Sequence, residues 1–154
     1  MAIGQLSLYG AAAMLGSTFG ASVAIPSNFY LALLTAQANP SMNGSEIPEL
    51  SGGGYGRQVI PNTSTYWSST TVAMNTYVMN TKTHQWPTSP QVGATADWQT
   101  AVGWALCDAI SGGNVWAVGA LATQVVIPAG FCAVMTPGSL YFELSPFFST
   151  TSAS

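Results

Sequence analysis

The stretch Val102-Gly103-Trp104-Ala105-Leu106-Cys107-Asp108-Ala109-Ile110-Ser111-Gly112-Gly113-Asn114-Val115-Trp116-Ala117-Val118-Gly119 decides the fold. Successive side chains of an extended chain point to opposite faces. Val102, Trp104, Leu106 and Ile110 share one parity with Asp108, while Gly103, Ala105, Cys107 and Ala109 make a face small enough for a neighbour to approach closely. Ser111-Gly112-Gly113-Asn114 places turn-forming residues between two apolar runs, the pattern of a β-hairpin. The second strand is expected over residues 115–123, continuing through 124–127.

Towards the C-terminus, Pro128-Ala129-Gly130 and Pro137-Gly138 are turns that leave strands at 131–136 and 139–144. Towards the N-terminus, residues 29–34 are a continuous apolar run too short for a helix, which reads as a strand buried on both faces. Asn43-Gly44, Pro48 and Gly52-Gly53-Gly54 make residues 40–54 an irregular loop. An extended segment over 55–60 stops at Pro61, and residues 70–79 alternate loosely as a half-exposed strand with an Asn/Thr face. At the start, Leu6, Leu8, Ala11, Met14 and Leu15 recur near helical spacing, so a short helix is expected over 5–15, ended by Gly16. Short strands with Gly/Pro punctuation predict an all-β antiparallel sandwich or jelly roll with that helix at its N-terminus. The expected divisions are a helical arm over 1–25, a β-sandwich over 26–148 and a flexible tail over 149–154.

Composition narrows function. The chain has 154 residues, 48% of them apolar and only 5% charged, against about 25% in ordinary domains. That length suits one domain able to bury a core without staples. Two basic and five acidic residues give a net charge of -3. Nucleic acid and anionic membrane are therefore not expected as partners, since both need clustered Lys or Arg. A polar but weakly charged surface repels its own copies poorly, which suits a subunit of an assembly. A secreted β-domain has a similar composition, yet no basic residue precedes the apolar N-terminus as a secretion signal requires. Gly4, Gly10, Gly16 and Gly20 interrupt any membrane-length apolar run.

Chemistry-bearing residues are few. His84 is the single histidine, expected in a solvated loop, and too few ligands surround it in sequence for a metal site. No G-x-S-x-G elbow accompanies it, Gly52 to Gly54 lack the lysine of a phosphate loop, and Asp97 and Asp108 read as turn anchors. Neither enzyme activity nor a cofactor or metal is expected. Cys107 and Cys132 lie far apart in apolar surroundings and read as buried free thiols. Arg57, the sole arginine, is expected to pair with Glu46 across the glycine-rich connection and order that loop, the other reading being two unrelated solvated charges. Trp104 and Trp116 belong to the core. Trp67, Trp86 and Trp98 fall in loop-like sequence, where they cover the end of the sandwich or meet a partner. With Leu6, Leu8, Met14 and Tyr55 they are the candidate interface.

The order of several short motifs resembles small virion structural proteins of tailed bacteriophages, of the capsid-decoration or tail-fibre-like kind. These are Phe29-Tyr30-Leu31-Ala32-Leu33-Leu34-Thr35-Ala36, Gly44-Ser45-Glu46-Ile47, Gly53-Gly54-Tyr55-Gly56-Arg57-Gln58-Val59, and Ala94-Thr95-Ala96-Asp97-Trp98. They continue in Val102 through Ala109, Gly112-Gly113-Asn114, Gly119-Ala120-Leu121 and Pro128-Ala129-Gly130. The resemblance spans residues 6–144, with 63–90 unmatched. It implies a non-enzymatic β-sandwich subunit of the virion, assembled in the host cytoplasm and present in many self-associating copies. A capsid cement protein would bind the major capsid protein as an oligomer, commonly a homo-trimer, through its N-terminal helix. A tail-fibre component would trimerise along an axis and face the host, where the loop tryptophans could stack on surface glycans. A compact chain with no repeat favours cement on length alone, with residues 1–16 as the expected shell-binding arm.

Overall fold

The computed structural model describes residues 2–72, 75–87, 89 and 98–144. The chain runs β1 (Ala2–Leu6), α1 (Leu8–Thr18), β2 (Asn28–Leu34), β3 (Gln58–Pro61), β4 (Trp67–Val72), β5 (Asn75–Asn80) and β6 (His84–Gln85). It continues through β7 (Thr100–Cys107), β8 (Val115–Val126), β9 (Val134–Met135) and β10 (Leu140–Leu144). The fold is all-β with a short N-terminal helix, as the sequence predicts.

β7 and β8 form the expected hairpin, with Trp104 opposite Gly119 and Leu106 opposite Ala117. Asp108 closes the turn: its carboxylate accepts the Asn114 backbone N–H at 2.7 Å and the Asn114 side-chain amide at 2.9 Å. The hairpin lies near the middle of a larger sheet. Among the described residues, eight strands form one sheet in the order β3-β2-β7-β8-β1-β10-β5-β4, and β6 and β9 form a second, two-stranded one. All pairs are antiparallel except β1 with β10.

A single curled sheet thus replaces the two facing sheets of the expected sandwich. The connection explains why. β3 and β4 are consecutive in sequence yet occupy opposite ends of the strand order. Eight flat strands at ~4.8 Å spacing would separate those ends by about 34 Å, whereas the chain over 62–66 reaches at most about 20 Å. The sheet must roll up, and Phe29 of β2 meets Trp67 of β4 edge to face, 6.3 Å between ring centres. Side chains complete the curl where backbone hydrogen bonds do not.

Trp104, fully buried, fills the concave interior with Leu31, Leu33, Ile60, Leu106, Ala117 and Leu140. Its indole lies against the backbone of Gly119, where any added Cβ would collide with the ring. On the convex side, Ala32, Leu34, Ala105 and Cys107 pack beneath Ile47 and Met42 of the long β2–β3 connection. β2 is therefore buried on both faces, and the small-residue face of β7 admits a covering loop, as expected.

Four local expectations fail. Gln5 and Leu6 are not helical: they belong to β1, which pairs with β8 on one side and β10 on the other, and these ladders override the helical spacing of Leu6. The segment over 1–25 is consequently no separate arm, because its first strand lies inside the sheet. The helix begins at Leu8 after Ser7, whose hydroxyl accepts the Gly10 N–H at 2.9 Å and donates to the Val115 carbonyl; it passes through Gly16 to Thr18. Residues 70–79 hold not one strand but the adjoining parts of β4 and β5, paired from Trp67–Asn80 to Val72–Asn75. The segment over 55–60 extends only from Gln58. Asp97, part of the 94–98 motif and everything beyond Leu144, including the expected tail, lie outside the described residues.

Candidate assembly surface

The most connected polar group is Arg57, and its carboxylate partner is Glu49. Nε donates to both Glu49 oxygens at 3.0 Å and Nη2 to one of them at 2.7 Å. Nη2 also reaches the Gly44 carbonyl at 2.8 Å, and Nη1 the carbonyls of Ala109 at 2.8 Å and Gly112 at 2.9 Å. The expected Glu46 pairing is thereby corrected. Glu46 instead accepts the Asn43 backbone N–H at 2.9 Å. Backbone bonds from Thr35 N–H to Pro48 and from Leu50 N–H to Leu33 lay residues 48–50 along β2, which carries Glu49, not Glu46, to the guanidinium. Tyr55 completes the knot, its hydroxyl donating to Glu49 at 3.1 Å and accepting the Leu33 N–H at 2.9 Å. Burial, followed by the Glu49 charge, pushes that phenol well above its usual range. A shallow depression of about 400 Å³ opens beside the knot, but the guanidinium is already committed to protein acceptors. The arrangement ties the β2–β3 loop to the β7–β8 turn; as a ligand site it has little left to offer.

The loop tryptophans are not platforms. Trp86 is 1% exposed and Trp98 2%. The Trp98 indole donates to the Gly53 carbonyl at 2.9 Å and meets Tyr55 edge to face at 5.5 Å. The Trp86 backbone N–H donates to the Ala133 carbonyl as β6 and β9 fold over the open end of the curl. Trp67 is half-buried between Phe29 and Phe142. One signal was present in the sequence: His84 and Trp86 share a parity, with exposed Gln85 between them. His84 is accordingly buried, not solvated, stacked on Tyr66 with its Nε2 unpartnered, and burial lowers its pKa. Cys107 is a buried free thiol whose pKa burial raises to about 11, and Cys132 is a half-buried one.

The largest group of exposed apolar side chains lies on α1 and the segment just after it. This helix is inverted relative to the usual amphipathic pattern: it buries its small residues, Gly10 and Ala13, and holds large ones in solvent. Gly10 is required there, because a Cβ would collide with the Trp116 carbonyl of β8. Tyr9 meets Trp116 edge to face at 5.5 Å and fixes the helix from its flank. Leu8 is then 67% exposed, Leu15 61% and Phe19 81%, with Tyr9, Met14 and Ile25 each more than two-fifths exposed. Leu6, at the end of β1, is half-buried. The candidate interface read from sequence includes Leu6, Leu8 and Met14 but not the exposed Leu15, Phe19 and Ile25. The missed signal is the small inward pair, which forces the bulky stripe outward. A second exposed group, Val125, Val126, Phe131 and Val134, lies where β8 runs past the end of β1 towards β9.

Among the described residues no three His, Cys, Asp or Glu side chains converge as a metal site would need, and no helix is long and apolar enough to cross a membrane. The exposed features are apolar surface, the currency of assembly. No curated protein matches the chain. A family model described as podophage GP4 fiber I protein gp80 matches residues 5–143, from the end of β1 into β10. That span takes in α1, the Arg57 knot and nearly all of the sheet, and the chain accordingly belongs to this family of phage fibre proteins, structural components of the virion.

Proposed function

We propose that the chain is a non-enzymatic subunit of a phage fibre, and not a cement protein on the capsid shell. The observation that carries this reading is the fibre-family match over residues 5–143. The structure is consistent with it in two respects. Its exposed apolar surface is placed for contact between proteins, and its polar clusters are spent internally, Arg57 on Glu49 and backbone carbonyls, Asp108 on its turn. A stacking site for host glycans on Trp86 and Trp98 is not part of the proposal, since both rings are buried.

Immunogold labelling of purified virions with antibody raised against the purified chain tests the placement. Gold on the fibres is expected. Gold distributed over shells separated from their tails would overturn the reading and restore the cement role.

A further inference from the structure

We infer that the outward face of α1 is the surface through which this chain packs against a second copy of itself, an inference that rests on the fibre-subunit reading. The exposure of that face is built in. Ser7 caps the helix, Gly10 lets it sit on the β8 backbone, and Tyr9 meets Trp116, so Leu8, Leu15 and Phe19 are held outward by a rigid seat.

The spacing identifies the kind of partner. Leu8, Ala12 and Leu15 on the helix and Phe19 at its C-cap recur at intervals of four, three and four, a spacing that suits packing against another helix. Exposed Ala12 lies between Leu8 and Leu15, so the stripe offers both knobs and hollows. Such a face fits its own copy. Area agrees: taking ~200 Å² for a fully exposed large side chain, Leu8, Tyr9, Met14 and Leu15 of α1, with Phe19 and Ile25 beyond its end, present about 680 Å². A monomer's largest apolar patch is usually about 300–600 Å², and each partner in a stable complex contributes about 800 Å².

Charge points the same way. Residues 1–45 contain no Asp, Glu, Lys or Arg. A partner bringing charge to this surface would have to desolvate it without compensation, whereas the same face of another copy brings none.

The test uses the full-length chain in solution, with mass measured by light scattering. The expected result is an oligomer for the natural sequence and a monomer for Leu15→Ser and Phe19→Ser, with near-ultraviolet circular dichroism unchanged. Phe131→Ser in the second patch should leave the mass as it was. Oxidative cross-linking of Leu15→Cys in a Cys132→Ser background gives a second readout that does not depend on weakening anything, and a covalent dimer is expected. A monomeric natural chain would overturn the inference, as would an oligomer that survives both substitutions and yields no cross-link. A chain that becomes oligomeric only when residues 145–154 are removed would also overturn it, by assigning the face to its own C-terminal segment. Each of these outcomes can occur with gold still on the fibres, so the inference and the fibre reading fail separately.

Discussion

Arg57 is 2% exposed in its side chain and Glu49 23%, so removing the guanidinium strands a carboxylate in a half-dry loop and orphans the carbonyls of Gly44, Ala109 and Gly112. Arg57→Ala should lower the unfolding free energy by about 3–5 kcal/mol, measured by urea denaturation, while Glu46→Ala should change it by no more than about 1 kcal/mol. Equal losses would return the pairing to Glu46. That a lone arginine orders this loop was one of two readings open in the sequence, and it rested on the five N–H donors that a guanidinium holds in a fixed fork. Which glutamate it chooses was not legible, since the choice is made by backbone bonds between residues 48–50 and β2 that local sequence does not encode. His84 supplies the pH-dependent counterpart. Burial lowers its folded-state pKa below the ordinary value of about 6.5, so the unfolded chain binds the proton more readily. Stability is complete above about pH 6.5 and declines as pH falls from there towards the folded-state value. The melting temperature should drop from pH 7 to 5, and His84→Phe, which keeps a ring against Tyr66, should flatten that slope.

Among the elements, β2, β7 and the turn between β7 and β8 were readable because pattern and turn chemistry agree there. Leu31 to Leu34 leave no polar face, and Gly112 and Gly113 adopt the positive φ values, 60° and 75°, that their turn needs. β1 was unreadable for the opposite reason: Leu6 fits the helical spacing of the residues that follow it, and only partners more than a hundred residues away, Ala117 to Gly119 and Leu140 to Phe142, make Ala2–Leu6 a strand. For Trp86 and Trp98 two readings stood open, covering the end of the fold or meeting a partner, and the first holds because both rings are buried in the core that β6 and β9 close over. A consequence follows for truncation. Removing residues 1–6 takes a strand from between β8 and β10, so the truncated chain should lose cooperative thermal unfolding altogether when followed by tryptophan fluorescence. A truncated chain that melts sharply near the full-length temperature would show β1 to be peripheral. Substitutions on the outer face of α1, by contrast, should leave that transition in place, which is why they, and not a deletion, report on assembly.

For the whole molecule, few charges and much apolar surface set the response to solvent. With a net charge of -3 and residues 1–45 uncharged, association should be nearly indifferent to sodium chloride between about 0.05 and 1 M, where the screening length shrinks from over 10 Å to about 3 Å. Ammonium sulfate, which strengthens apolar burial, should promote it. Sedimentation velocity across both salts decides the matter, and an oligomer that dissociates in sodium chloride would reveal an electrostatic contact absent from the described surface.

The parallel pairing of β1 with β10, the exception in an otherwise antiparallel sheet, carries a mechanical meaning. Ala2 lies beside Leu140 and Gly4 beside Phe142, so the two strands point the same way, one entered from the start of the chain and the other leaving towards its end. Tension applied through those two directions draws the strands past each other lengthwise. The slanted, evenly spaced hydrogen bonds between them are then loaded in shear, together, instead of being peeled open one by one. Pulled along that line, the domain would resist extension far better than when pulled across it.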